Sequence, residues 1–232
     1  MKRRNSFEML RDLPGVFSLR DVVIRHGLSE AAARQYCWRW GNAGMVTPVG
    51  PRIGVFYNLV VEPNKEYLLA AALEKALGIR PYVIVGHSAL NDAGWTTQMP
   101  QRIELALLVT RETHSYPMID GVDILPRPLA WFQAMKPGIA GQLHGIAILP
   151  PEHALVDTLR TRLLHGNEPN RGWRPGADDI DPFDINANES LVRMREIAAA
   201  IKVPEKILLD YLSRIECFEE ALNDSATMST NM

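Results

Sequence analysis

The sequence predicts an α+β protein in two parts: a winged helix-turn-helix at the N-terminus, then a mixed α/β domain ending in a helical tail. Three observations predict it. Two capped helical patterns, separated by a tight Gly-containing turn, occupy residues 18–44. The stretch MVTPVGPRIGVFYNLVV then sets two short apolar runs around a Pro- and Gly-rich corner, which reads as a β-hairpin. Beyond residue 63, Ala/Leu helical patterns alternate with short apolar runs such as PYVIVG, as in a helix-covered sheet.

The elements follow in order. Residues 6–13 form a short helix stopped by Pro14-Gly15. In FSLRDVVIRHG, Ser18 is the N-cap, Leu19, Val22 and Val23 form an apolar face, and Gly27 ends the helix. Ser29 caps a third helix that runs to Gly44, in which Ala33, Cys37, Trp40 and Gly44 share one face. Pro48 and Pro51 place the hairpin turn and confine its strands to edge positions. Glu62-Pro63-Asn64 reads as a domain boundary, dividing the chain into residues 1–62 and 63–232. In the second part the expected strands are PYVIVG, RIELALLV, VDILP and HGIAIL, and the helices are YLLAAALEKALG, SALNDAG and PPEHALVDTLRTRLLHG. Residues 166–184 read as a long loop. Helices over 188–202 and 204–222 close the chain, with a frayed tail from about residue 224.

Charge separates the two parts. Residues 1–60 hold nine Lys or Arg against four Asp or Glu, whereas the remainder holds sixteen against twenty-three. A head of +5 on a body of −7 points to a polyanionic partner for the head, with a chance imbalance as the alternative. Cys37 and Cys217 belong to no CxxC pair, so neither a disulfide framework nor a structural zinc site is expected. The start MKRRNSFEML is basic without an apolar stretch, and no apolar run approaches a membrane span. The expected location is the cytoplasm, away from membranes.

The third helix carries the clearest chemistry. Arg34, Gln35, Trp38 and Arg39 point away from its apolar face. Arg can read guanine and Gln adenine in a major groove, while a helix N-terminus at Ser29 can approach a phosphate. Arg52 at the hairpin tip and the arm residues Lys2, Arg3 and Arg4 add candidate contacts to double-stranded DNA. The competing account is a basic face that is merely solvated.

The turn Gly86-His87-Ser88-Ala89-Leu90 resembles a hydrolase nucleophile elbow, but that elbow needs a small residue where Leu90 stands. A nucleotidyltransferase needs closely spaced metal-binding carboxylates. Here Asp120 and Asp123 come more than thirty residues later, spaced D-x-x-D. An enzyme of that kind, built around Gly86 to Asp123, is the alternative. The favoured expectation is a scaffold, with Ser88 capping a helix while Leu90 and Trp95 fill the core. The acidic stretch DDIDPFDINANE lacks the central Gly of a calcium loop, and the six histidines show no ligand spacing. No catalytic residue, metal or cofactor is expected.

Taken together, a winged helix-turn-helix, the pattern P-Y-x-I-x-G-x-S-A-L-x-x-x-G over residues 81–94, Thr97-Gln98-Met99-Pro100 and A-L-V-D-T-L over residues 154–159 resemble the AbiEi antitoxins of bacterial abortive-infection systems, which are type IV toxin–antitoxin modules. The resemblance covers roughly residues 15–160 and rests on fold positions. It implies a phage-defence transcriptional regulator whose N-terminal domain represses its own operon at an inverted repeat. It also implies a C-terminal domain that counteracts a nucleotidyltransferase-like toxin without a required stable complex.

Overall fold

In the computed structural model, residues 5–110, 116–139, 141–165, 176–182 and 185–222 are described. The arm residues Lys2, Arg3 and Arg4, most of the expected 166–184 loop and the tail from residue 224 lie outside them. The described fold is α+β with two sheets, and the chain divides into two units. The first comprises residues 1–80 and 113–120; the second comprises residues 81–112 and 121–232.

In the first unit, α1 (Ser6–Arg11) leads into β1 (Val16–Ser18), α2 (Leu19–His26), α3 (Glu30–Asn42), β2 (Val46–Pro48) and β3 (Val55–Asn58). Ser18 caps α2 through a reciprocal box. Its hydroxyl accepts from the Asp21 amide at 3.3 Å, and its own amide donates to the Asp21 carboxylate at 2.6 Å. Gly27 ends α2 at φ +64, and the Ser29 hydroxyl accepts from the Ala32 amide at the start of α3. Helix α3 stops at Asn42. Gly44 therefore falls beyond it, exposed in the following turn at φ +69, and does not join the buried face of Ala33, Cys37 and Trp40.

The sheet has the order β1-β3-β2, antiparallel throughout. Strand β1 is unheralded in the sequence, since three residues are too short to show an alternation. It leaves β2 at an edge, where Pro48 is tolerated. Trp40 is fully buried: its indole N–H donates to the Ser6 carbonyl at 3.1 Å and the Ser6 hydroxyl at 2.9 Å, and its ring meets Phe17 edge-on at 6.3 Å. Asn58, also fully buried, donates from its side chain to the carbonyls of Leu10 and Leu13, which ties the end of α1 to β3.

The domain boundary expected at residue 62 is corrected. Pro63 and Asn64 begin a 3-10 turn (Lys65–Leu68), and α4 (Leu69–Leu77) then packs on β1 and β3. It buries Leu69, Ala72, Leu73 and Leu77, so a fragment cut at residue 62 would expose that face. Residues 116–120 return to the same unit. The Asp120 amide donates to Val49 O at 2.9 Å, and a Cβ on Gly50 would sit 2.0 Å from Met118 O, which leaves room only for glycine.

The second unit is built on a mixed sheet of order β6-β5-β4-β8-β7. Its strands are β4 (Tyr82–Ile84), β5 (Ile103–Leu108), β6 (Val122–Arg127), β7 (Gly141–Leu143) and β8 (Ile146–Ile148). The pairs β5–β6 and β4–β8 are parallel, the others antiparallel. Helices α5 (Gly86–Asp92), α6 (Leu129–Met135), α7 (Pro151–His165), α8 (Ala187–Ile201) and α9 (Glu205–Leu212) accompany it. The single closing helix expected over 204–222 is interrupted: α9 stops at Leu212 and helix resumes over 216–222. Asp157 on α7, within the A-L-V-D-T-L segment, accepts from the buried Arg127 guanidinium at 2.7 Å and the Trp131 indole at 2.7 Å, joining β6, α6 and α7. No helix among the described residues is long and apolar enough to cross a membrane.

Because Trp40 fills the centre of the first unit, Trp40→Ala is expected to destabilise that unit by about 3–5 kcal/mol, read by urea denaturation of the full chain.

Candidate nucleic-acid interface

The buried residues of α3 fix what its other face presents. With Ala33, Cys37 and Trp40 turned inward, Arg34, Gln35, Trp38 and Arg39 are exposed, Trp38 at 66%. An exposed tryptophan of that degree is uncommon on a solvated helix face. Burial pushes the Cys37 thiol up to about 11, so this cysteine is packing rather than a nucleophile.

These residues divide between two settings. Arg34 and Trp38 line a groove of about 500 Å³ between α3 and the hairpin, with Arg52 and Gly54 on the far wall. Arg34 and Arg52 also line an adjoining depression whose wall includes Arg20 and Glu30. Three arginines from α2, α3 and the hairpin tip thus line one concavity. Arg39 instead leans over the Tyr36 ring, 6.0 Å from its centre, and with Gln35 stays on the outer side of the helix. Ser29 is engaged as the N-cap of α3. Arg3 and Arg4 lie outside the described residues.

The sequence alone does not single out Arg20. Nothing local marks it, because only the fold of α2 against the hairpin brings it beside Arg52. Arg52 carries a second mark: its φ of +62 is costly for a residue with a side chain, on the order of 1–3 kcal/mol. The tip holds an arginine in a conformation that suits glycine.

The Gly86 turn is built differently from the expectation. Ser88 is not the N-cap of α5; Val85 holds that position, without a side-chain cap. The buried Ser88 hydroxyl instead accepts from the Glu104 amide at 3.1 Å, anchoring β5. The Glu104 carboxylate returns to the helix start and accepts from the His87 amide at 2.7 Å, where a negative charge suits the helix dipole. Gly86 has φ +58, and a Cβ there would lie 1.8 Å from Glu104 Oε2. The sequence hides this because the capping group comes from a strand residue seventeen positions beyond His87. Leu90 and Trp95 fill the core as expected. His87 sits in this packing, its pKa lowered by burial against the opposing pull of its bond to the Gln98 carbonyl.

Asp123, on β6, is paired with Arg102 at 2.5 Å. In the acidic stretch, Asn186 caps α8 by accepting from the Glu189 amide, and Asp179 accepts from the Gly176 amide. Among the described residues no cluster of three or more His, Cys, Asp or Glu side chains is placed to hold a metal ion.

The chain matches no protein-family model and no curated protein. Among solved structures it is similar to the crystal structure of the RV2827C protein from Mycobacterium tuberculosis. The TM-score is 0.59 and the sequence identity 17%, over 97% of this chain and 79% of that one. At this identity the likeness is one of fold, and it extends over both units.

Ser88→Ala removes the buried hydroxyl that accepts from the Glu104 amide. We expect a loss of about 1–3 kcal/mol in the stability of the full chain, measured by thermal or urea unfolding.

Proposed function

We propose that the protein is a DNA-binding transcriptional regulator whose first unit is a winged helix-turn-helix. In this reading α3 enters the major groove of double-stranded operator DNA, and the β2–β3 hairpin is the wing. The observation that carries it is the concavity between α3 and the hairpin, edged by Arg20, Arg34 and Arg52 beside the exposed Trp38. The order α1-β1-α2-α3-β2-β3, with β1 closing the hairpin into a three-stranded sheet, supports the same reading. Three cations around a concave surface suit a phosphate backbone, while Gln35 and the outer end of Arg34 suit base edges.

The resemblance to AbiEi antitoxins extends the proposal. The regulator is the autorepressing antitoxin of an AbiE-like type IV toxin–antitoxin operon serving phage defence, acting in the cytoplasm at an inverted repeat. Its second unit antagonises a nucleotidyltransferase-like toxin without needing a stable complex and has no catalytic activity of its own. The burial of Ser88 and Gly86 against Glu104 supports this over a nucleotidyltransferase-like enzyme, which needs that turn open to substrate.

Base-reading and backbone-holding residues are separable by experiment. Arg34→Ala, Gln35→Ala and Arg39→Ala should each cost about 1–3 kcal/mol on the operator and relax the preference at one base position. Arg20→Ala and Arg52→Ala should weaken operator and scrambled duplexes alike and flatten the salt slope by about one unit each. Fluorescence anisotropy at several salt concentrations, with the protein's own upstream DNA as operator, reads both effects. Unchanged affinity in all five variants would falsify the interface.

A further inference from the structure

The arginine-lined concavity contains one carboxylate, Glu30. It occupies the first turn of α3, one helical turn before Arg34, and the two side chains are joined. Arg34 Nε donates to Glu30 Oε1 at 3.1 Å, and Nη2 donates to the same oxygen. Both side chains remain well exposed, at 63% for Glu30 and 70% for Arg34. An exposed i,i+4 pair contributes little to stability. Its consequence lies in the groove, where it does two things. It engages the Nε–Nη2 edge of the guanidinium, which leaves the outer end of Arg34 for two acceptors on one guanine edge. It also places a negative charge among Arg20, Arg34 and Arg52, where a non-specifically bound phosphate would otherwise settle.

We infer that Glu30 is a specificity-determining residue of this interface, acting as a positioning residue on Arg34 and as an electrostatic filter against generic phosphate contacts. The inference rests on the DNA-binding reading above. Without the carboxylate, Arg34 is free to reach a phosphate, so that one more counterion is released on binding any duplex.

The test uses the full chain and two duplexes, one carrying the protein's own upstream inverted repeat and one a scramble of equal composition. Wild type, Glu30→Gln, Arg34→Ala, the double variant and Glu74→Gln are titrated between about 50 and 200 mM salt. Glu74, on α4, removes an exposed carboxylate that does not line the concavity. For Glu30→Gln, the scrambled duplex should bind roughly threefold or more tightly at the lowest salt, with a salt slope steeper by about one unit. The ratio of operator to scrambled affinity should fall about five- to tenfold. In the Arg34→Ala background, adding Glu30→Gln should leave that ratio unchanged, and Glu74→Gln should leave ratio and slope near wild type. A wild type that discriminates the duplexes, with an unchanged ratio in Glu30→Gln or an equal change in Glu74→Gln, overturns the inference and leaves the DNA-binding reading standing. A wild type that binds neither duplex overturns both.

Discussion

The rotation of α3 about its own axis is set by Trp40, and the presentation of every exposed residue on that helix follows from it. The indole N–H is held by Ser6 and its ring meets Phe17 at right angles, while Tyr36 packs beside it at 5.6 Å. A ring of this size in a close-packed interior has few alternative seats. With Trp40, Cys37 and Ala33 inward, helical periodicity leaves Arg34, Gln35, Trp38 and Arg39 no option but to face outward. Two tryptophans two residues apart thus have opposite surroundings, one fully buried and one largely bare.

The hairpin is held to the same frame from both ends. Asn58 secures the end of β3 to the Leu10 and Leu13 carbonyls at the end of α1 and just beyond it, and residues 118–120 brace Val49 and Gly50 at the start of the turn. Between these supports Arg52 keeps its left-handed backbone. Such a conformation persists where its surroundings over-determine it, which here are the brace and the β2–β3 pairing. The second unit relies on an analogous device. Glu104 closes the Gly86 turn from the neighbouring strand, and Arg127, Asp157 and Trp131 form a buried polar knot between sheet and helices.

Much of this was legible in the sequence wherever the signal is local. Ser18, Gly27 and Ser29 mark the ends of α2 and α3 through cap chemistry that acts within three or four residues. The inward face of α3 follows from its spacing alone, apart from Gly44, which the helix end at Asn42 removes. What escaped depends on distant partners. Strand β1 acquires its identity only by pairing with β3, forty residues away. Arg20 enters the concavity only because α2 packs beside the hairpin. Ser88 reads as a cap from its position after Gly86, but the Glu104 carboxylate fills that role. Glu62-Pro63-Asn64 marks a turn inside a unit rather than its border, because α4 buries its leucines on the sheet behind it.

We propose that α3 meets DNA through the face that Trp40 turns outward. The most direct test is indole NMR of the full-length protein labelled with 15N at tryptophan, titrated with a duplex of its own upstream DNA. The account predicts that the Trp38 indole resonance moves on binding while that of Trp40, hydrogen-bonded to Ser6, stays in place. A bound complex in which Trp38 is unmoved, or no binding at all, would contradict it.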